Sequence, residues 1–143
     1  AGFQTLVDTV RATGATNVIT QGGLEWSNDL SGWLANRPND PLNNLAASWH
    51  VYNFNSCNNT GCWDSRVAPV AAVVPLIATE VGTNPYDGAQ LTTVMNWLDA
   101  HGASYEMWAW NTWGGPESLI SNFNGTASSP YGVLVKNHFA ALP

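Results

Sequence analysis

Apolar positions along the chain follow two alternating rhythms. Phe3, Leu6, Val7, Val10 and Ala12 recur at near-helical spacing and stop at Gly14, which predicts an amphipathic helix over residues 2–14 with a glycine C-cap. The short run Asn17 to Thr20 then leads into Gly22-Gly23 and reads as a buried strand. The alternation repeats with a Pro-rich connection, Arg37 to Leu45, a strand, Ser48 to Asn53, a helix, Asp64 to Val73, and a strand, Pro75 to Glu80. A further round places a helix over Asp87 to His101, with Leu91, Val94, Met95 and Leu98 on one face and Gly102 as its stop. A strand over Ser104 to Trp110 and a closing helix over Gly132 to Leu142 follow. Four strands alternating with helices predict parallel βα units rather than a sandwich. At roughly 30 residues per unit the 143 residues supply four units, whereas an eight-stranded barrel takes about 250. The expected fold is α/β: one (β/α)4 domain over residues 1–143, a half TIM barrel or small open sheet.

Composition narrows the partners. Only 10% of residues are charged, against about 25% in an average soluble protein, so the surface is largely neutral and polar. Net charge is −6 with four Lys plus Arg, too few cations to neutralise a phosphate backbone or hold an anionic membrane. Nucleic acid and membrane are therefore not expected partners, and no apolar run approaches the length of a transmembrane helix. Eight Trp among many Asn, Ser and Thr suit neutral sugars, whose CH faces stack on indoles while their hydroxyls take hydrogen bonds. About half of these Trp are expected in the core, Trp49 and Trp97 among them.

Cys57 and Cys62 flank a run of turn formers, and a disulfide between them is the first expectation. Metal ligation would need more Cys or His nearby, and His50 falls on a strand, so no metal or cofactor is expected. A disulfide implies an oxidising compartment, and with no signal-like amino terminus the chain reads as a mature or trimmed secreted protein. Asn58-Asn-Thr60 and Asn124-Gly-Thr126 match the glycosylation sequon, a weak pattern.

In a parallel βα array, ligands bind beyond the carboxyl ends of the strands. Those ends carry Gly22-Gly-Leu-Glu-Trp-Ser-Asn-Asp29, then His50 and Tyr52, then Ala78-Thr-Glu80, then Trp108-Ala-Trp-Asn-Thr-Trp113. Side-chain alternation puts His50 and Tyr52 on one face, and likewise Trp108 and Trp110. A carboxylate, an imidazole, a phenol and indoles can thus converge.

The segments Gly22 to Trp33, Ser48-Trp-His-Val-Tyr-Asn-Phe54, Leu76-Ile-Ala-Thr-Glu-Val-Gly82 and Trp108-Ala-Trp-Asn111 resemble, in order and over nearly the whole chain, the second half of glycoside hydrolase family 5, the cellulase family. The resemblance implies barrel strands five to eight. It makes Glu80 the nucleophile, puts His50 and Tyr52 beside the reacting sugar and makes Trp110 a stacking platform. Asn28, Trp26, Trp33 and Trp113 are further candidate substrate contacts.

The family's acid/base glutamate, in an Asn-Glu-Pro motif, has no counterpart in the chain. Glu25 is the candidate replacement, with Asp29 slightly farther from its strand; Glu106 is expected deep in the barrel with a structural role. The expected function is hydrolysis of β-1,4-glucan or cello-oligosaccharide, best on aryl glycosides because their leaving groups need little protonation. A noncatalytic sugar-binding half-barrel, or a fragment of a longer cellulase, are the alternatives. Because an open half-barrel leaves two edges and an inner face bare, a homodimer closing eight strands is the expected assembly.

Overall fold

The computed structural model, which describes residues 2–143, contains one parallel sheet of four strands in the order β1-β2-β3-β4. They are β1 (Ile19–Gln21), β2 (Leu45–Tyr52), β3 (Leu76–Gly82) and β4 (Ser104–Met107). Around them run α1 (Phe3–Ala12), a one-turn segment α2 (Leu24–Ser27), a 3-10 turn at Leu34–Asn36, α3 (Thr60–Arg66), α4 (Ala68–Ala71), α5 (Gly88–Ala100) and α6 (Tyr131–Ala140). Sequential parallel neighbours joined by crossovers make this the α/β half-barrel that the alternating pattern predicts.

Helices cover one face of this sheet. From β2 and β3 the residues Ala47, Trp49, Val51, Ala78 and Val81 join Trp63, Val67 and Val70 of the α3–α4 segment and Leu91, Val94, Met95 and Leu98 of α5 in one cluster. Trp49, Trp63 and Trp97 form its aromatic centre, with ring centroids 5.8–6.0 Å apart in edge-on or tilted pairs. Each such pair adds about 0.5–1.5 kcal/mol beyond the burial of its area. Trp97 also donates its indole N–H to Asp64 at 2.8 Å, so its polar atom is satisfied. Trp49 and Trp97 are the packing residues expected.

Several boundaries differ from the sequence reading, each for a local reason. The helix expected over Asp64 to Val73 begins earlier and is divided. Asn59 caps α3 by accepting the Cys62 N–H at 3.1 Å, and the helix turns at Val67, because Pro69 has no N–H to continue the ladder. Strand β2 starts at Leu45, inside the supposed connection, where Leu45 to Ala47 pair with β1.

The connection itself is pinned by Asp40. Its buried carboxylate receives both guanidinium edges of Arg11 at 2.8 Å and the backbone N–H groups of Asn44 and Leu42. Arg11, first, and then those N–H groups hold the Asp40 carboxyl far below its ordinary range, against a burial that opposes ionisation. Among the described residues no helix is long and apolar enough to cross a membrane.

Candidate active site

The inner face of the sheet carries the chemistry, and an irregularity in strand pairing decides which residues reach it. Ser48 pairs with Ile77 and Trp49 with Ala78, but His50 pairs with Glu80. Strict alternation from Ile77 would set Thr79 opposite His50 and send Glu80 outward. The extra residue in β3 brings Glu80 to the inner face beside His50. Thr79 remains there too, its hydroxyl 2.6 Å from that of Ser48.

Tyr52 completes the constellation. Its hydroxyl donates to Glu80 Oε2 at 2.8 Å, and His50 Nδ1 stands 3.7 Å from the same oxygen. Burial, foremost, and then the hydrogen bond to Glu80 with the charges of Glu80 and Glu117 push the Tyr52 phenol well above its ordinary range. It therefore stays protonated and acts as a donor to the carboxylate. Gly82 makes room for the ring, since a Cβ there would come within 2.5 Å of Tyr52 Cε1. Phe54 stacks on the other side, with centroids 4.9 Å apart.

These groups line an open cavity of about 440 Å³ together with Trp26, Asn55, Trp108 and Glu117. Trp26 enters it from a tight turn in which Glu25, Trp26 and Ser27 all have positive φ, a conformation costing about 1–2 kcal/mol per L-residue. Hydrogen bonds hold the turn. Gly23 N–H donates to Ser27 Oγ, and the Ser27 hydroxyl donates to Ser48 O at 2.8 Å. The Cys57–Cys62 disulfide forms, as expected, beside the 53–59 loop that contributes Phe54 and Asn55.

The other expected site residues lie elsewhere. Asn28 is buried and occupied with backbone: its Nδ2 donates to His50 O and Cys57 O, and its Oδ1 accepts Cys57 N–H at 2.9 Å. It ties β2 to the disulfide loop instead of facing a sugar. Glu25 lies outside the cavity lining, accepting the Ser56 hydroxyl at 2.5 Å. Trp113 is exposed and Trp33 is buried, donating to Gln21 O, so neither lines the cavity.

Trp110 sits in a separate cavity with Tyr105, Glu106, Val135 and Phe139. The indole beside Glu80 is Trp108. Since β4 ends at Met107, strand alternation no longer governs the residues beyond it, and Trp108 and Trp110 part company. Glu106 is exposed rather than buried in a barrel interior.

Sequence reasoning also passed over Glu117, the one acidic residue between Trp108 and Pro130. Its position in the loop after the last strand was the available signal, because such loops form the active face of βα barrels.

Fold and site together define a partial βα barrel with its ionisable groups at the carboxyl ends of the strands. The chain belongs to the cellulase family, glycosyl hydrolase family 5, whose profile matches residues 2–114. Among curated protein sequences none matches it. Solved structures share its fold. The β-glucanase SdGluc5_26A of Saccharophagus degradans superposes with a TM-score of 0.78 at 20% identity, over 96% of this chain and 46% of its own. The endo-β-1,4-glucanase Xac0030 of Xanthomonas axonopodis pv. citri gives 0.67 at 19% identity, over 96% and 54%. Pseudomonas stutzeri endoglucanase Cel5A, crystallised with cellobiose, gives 0.69 at 19%, over 94% and 48%. The chain thus spans about half the length of these structures.

Proposed function

We propose that this chain contributes the nucleophile side of a glycoside hydrolase site acting on β-1,4-glucan or cello-oligosaccharide. The supporting observation is the Tyr52 hydroxyl at 2.8 Å from Glu80 Oε2, in an open cavity walled by indoles. In this reading Glu80 attacks or activates water, Tyr52 and His50 orient its carboxylate, and Trp26 and Trp108 stack on sugar rings. The chain has no Asn-Glu-Pro motif to supply the family's acid/base, so aryl glycosides, whose leaving groups need little protonation, are the better substrates. Hydrolysis of an aryl cellobioside by wild type and Glu80→Gln tests the assignment. The variant should lose on the order of a thousandfold in turnover, about 4 kcal/mol of transition-state stabilisation. Retained turnover rules out Glu80 as the catalytic group, and sugar binding without turnover in either protein favours a noncatalytic binding module.

The partner proposed for the open half-barrel is a second copy. Edge strands β1 and β4 have no strand neighbour on their outer sides among the described residues, and each borders an apolar cavity. The cavity at β1 is lined by Phe3, Leu24 and Trp33, and that at β4 by Trp110, Val135 and Phe139. Twofold pairing of β1 with the partner's β4 would cover both. Light scattering should give twice the chain mass; a monomer that binds no hydrophobic dye contradicts this. The disulfide supports an oxidising, extracytoplasmic site of action.

A further inference from the structure

We infer that Glu117 is a sugar-positioning carboxylate of the Glu80 cavity, accepting hydroxyls of the pyranose that lies beside Trp108, and is not a substitute for the missing proton donor. The inference rests on the reading of the cavity as a glucan site. Glu117 lines that cavity from the loop after β4. Its backbone is fixed close to Trp108, because Ala109 N–H donates to Glu117 O at 2.6 Å. The next residue, Ser118, is buried and donates its hydroxyl to Asn111 Oδ1 at 2.6 Å.

The carboxylate is held as well. Asn84 Nδ2 donates to Glu117 Oε1 at 3.2 Å, and Asn84 is itself tied down by its backbone N–H to Asn53 Oδ1 at 2.8 Å. Asn53 in turn donates to Pro85 O at 3.1 Å, closing a rim between the ends of β2 and β3. No protein group among the described residues donates to Glu117 Oε2. One oxygen is therefore anchored while the other keeps its lone pairs for a ligand, next to an indole on which a pyranose can stack. A carboxylate accepts O–H donors more strongly than a neutral acceptor does, and adjacent hydroxyls of a sugar can share it.

The position of Glu117 argues against proton donation. A catalytic acid and its partner carboxylate flank the scissile bond. Glu80 and Glu117 instead come from β3 and from the loop after its paired neighbour β4, adjacent elements bordering one cavity.

The test combines cellotetraose titration calorimetry with aryl-cellobioside kinetics on wild type, Glu117→Gln and Asn84→Ala. Melting curves establish that each variant is folded. Glu117→Gln should bind cellotetraose about tenfold more weakly and raise KM. Its kcat should stay within about twofold of wild type for good and poor leaving groups alike, the signature of lost uniform binding. Asn84→Ala, which frees the anchored oxygen, should weaken binding about threefold.

Wild type that binds cellotetraose while Glu117→Gln binds equally well overturns the inference for Glu117 alone. A loss in kcat that grows with leaving-group basicity, together with loss of the alkaline limb of the pH profile, makes Glu117 the acid and also overturns it. Wild type that binds no cellotetraose overturns the glucan reading of the whole cavity.

Discussion

On its outer face the sheet presents Ala47, Trp49, Val51, Ala78 and Val81, all without solvent exposure, while its inner face presents Ser48, His50, Ile77, Thr79 and Glu80, all partly exposed. The same two strands supply both sets. Parallel sheets are ordinarily covered on both faces, and here helices cover one. The consequence is a division of labour: cohesion is concentrated under the helices, and the polar groups that can do chemistry stand where little packing depends on them. Substitutions on one strand should therefore separate stability from function according to which way the side chain points.

The largest test of that division is Trp49→Ala. Trp49 is fully buried, touches two other indoles and donates to Asn28 O, so its truncation should cost about 3–5 kcal/mol, read from urea unfolding monitored by circular dichroism. A cost below about 1 kcal/mol would mean that the outer face does not carry the stability. Replacing both Cys57 and Cys62 by Ser comes next. Their loop is short, with a sequence separation of 5, so about 2 kcal/mol should be lost. Cellotetraose affinity should fall too, because Phe54 and Asn55 of the cavity lie on the loop that this bridge steadies.

The Arg11–Asp40 pair gives a pH-dependent contribution that lies away from both faces. Asp40 has its carboxyl depressed in the folded state, so the stability it provides is complete above the unfolded value of about 3.9 and is lost as pH falls towards the folded value. Melting temperatures at pH 7 and pH 3 should differ less in Asp40→Asn than in wild type, and an equal difference would remove Asp40 from the acid response. The smallest expected effect is that of Glu80→Gln on stability, within about 0.5 kcal/mol, since glutamine still offers an oxygen to the Tyr52 hydroxyl. Beside its large expected loss of turnover, that small number would mark the inner face as built for function.

Much of this was legible in the chain. Near-helical spacing in residues 3–12 and 91–98, apolar runs between glycines, and the strand-closing motifs around His50, Glu80 and Trp108 gave four parallel βα units and the constellation Glu80, His50, Tyr52 and Trp26. Cys57 and Cys62 were paired from their spacing and surroundings. The misses cluster where side-chain direction depends on something other than strand alternation. Asn28 carried the right chemistry for a sugar contact, but three left-handed residues before it turn it inward to the backbone of His50 and Cys57. Alternation along a strand through both residues makes Trp110 equivalent to Trp108, but β4 ends at Met107, short of either.

The sequence by itself determined the class of fold, the dry outer face and the presence of a carboxylate, Glu80, near the carboxyl end of β3, because these follow from periodicity and from short motifs read locally. Only the tertiary structure decided which side chains share a cavity. The pairing irregularity between β2 and β3 brings Glu80 beside His50, the end of β4 at Met107 separates Trp108 from Trp110, and the loop after it carries Glu117 back to the site. Each is a matter of register or loop path. Register and path are fixed by contacts between distant parts of the chain, and a one-residue shift reverses the direction of a side chain without any local trace in the sequence.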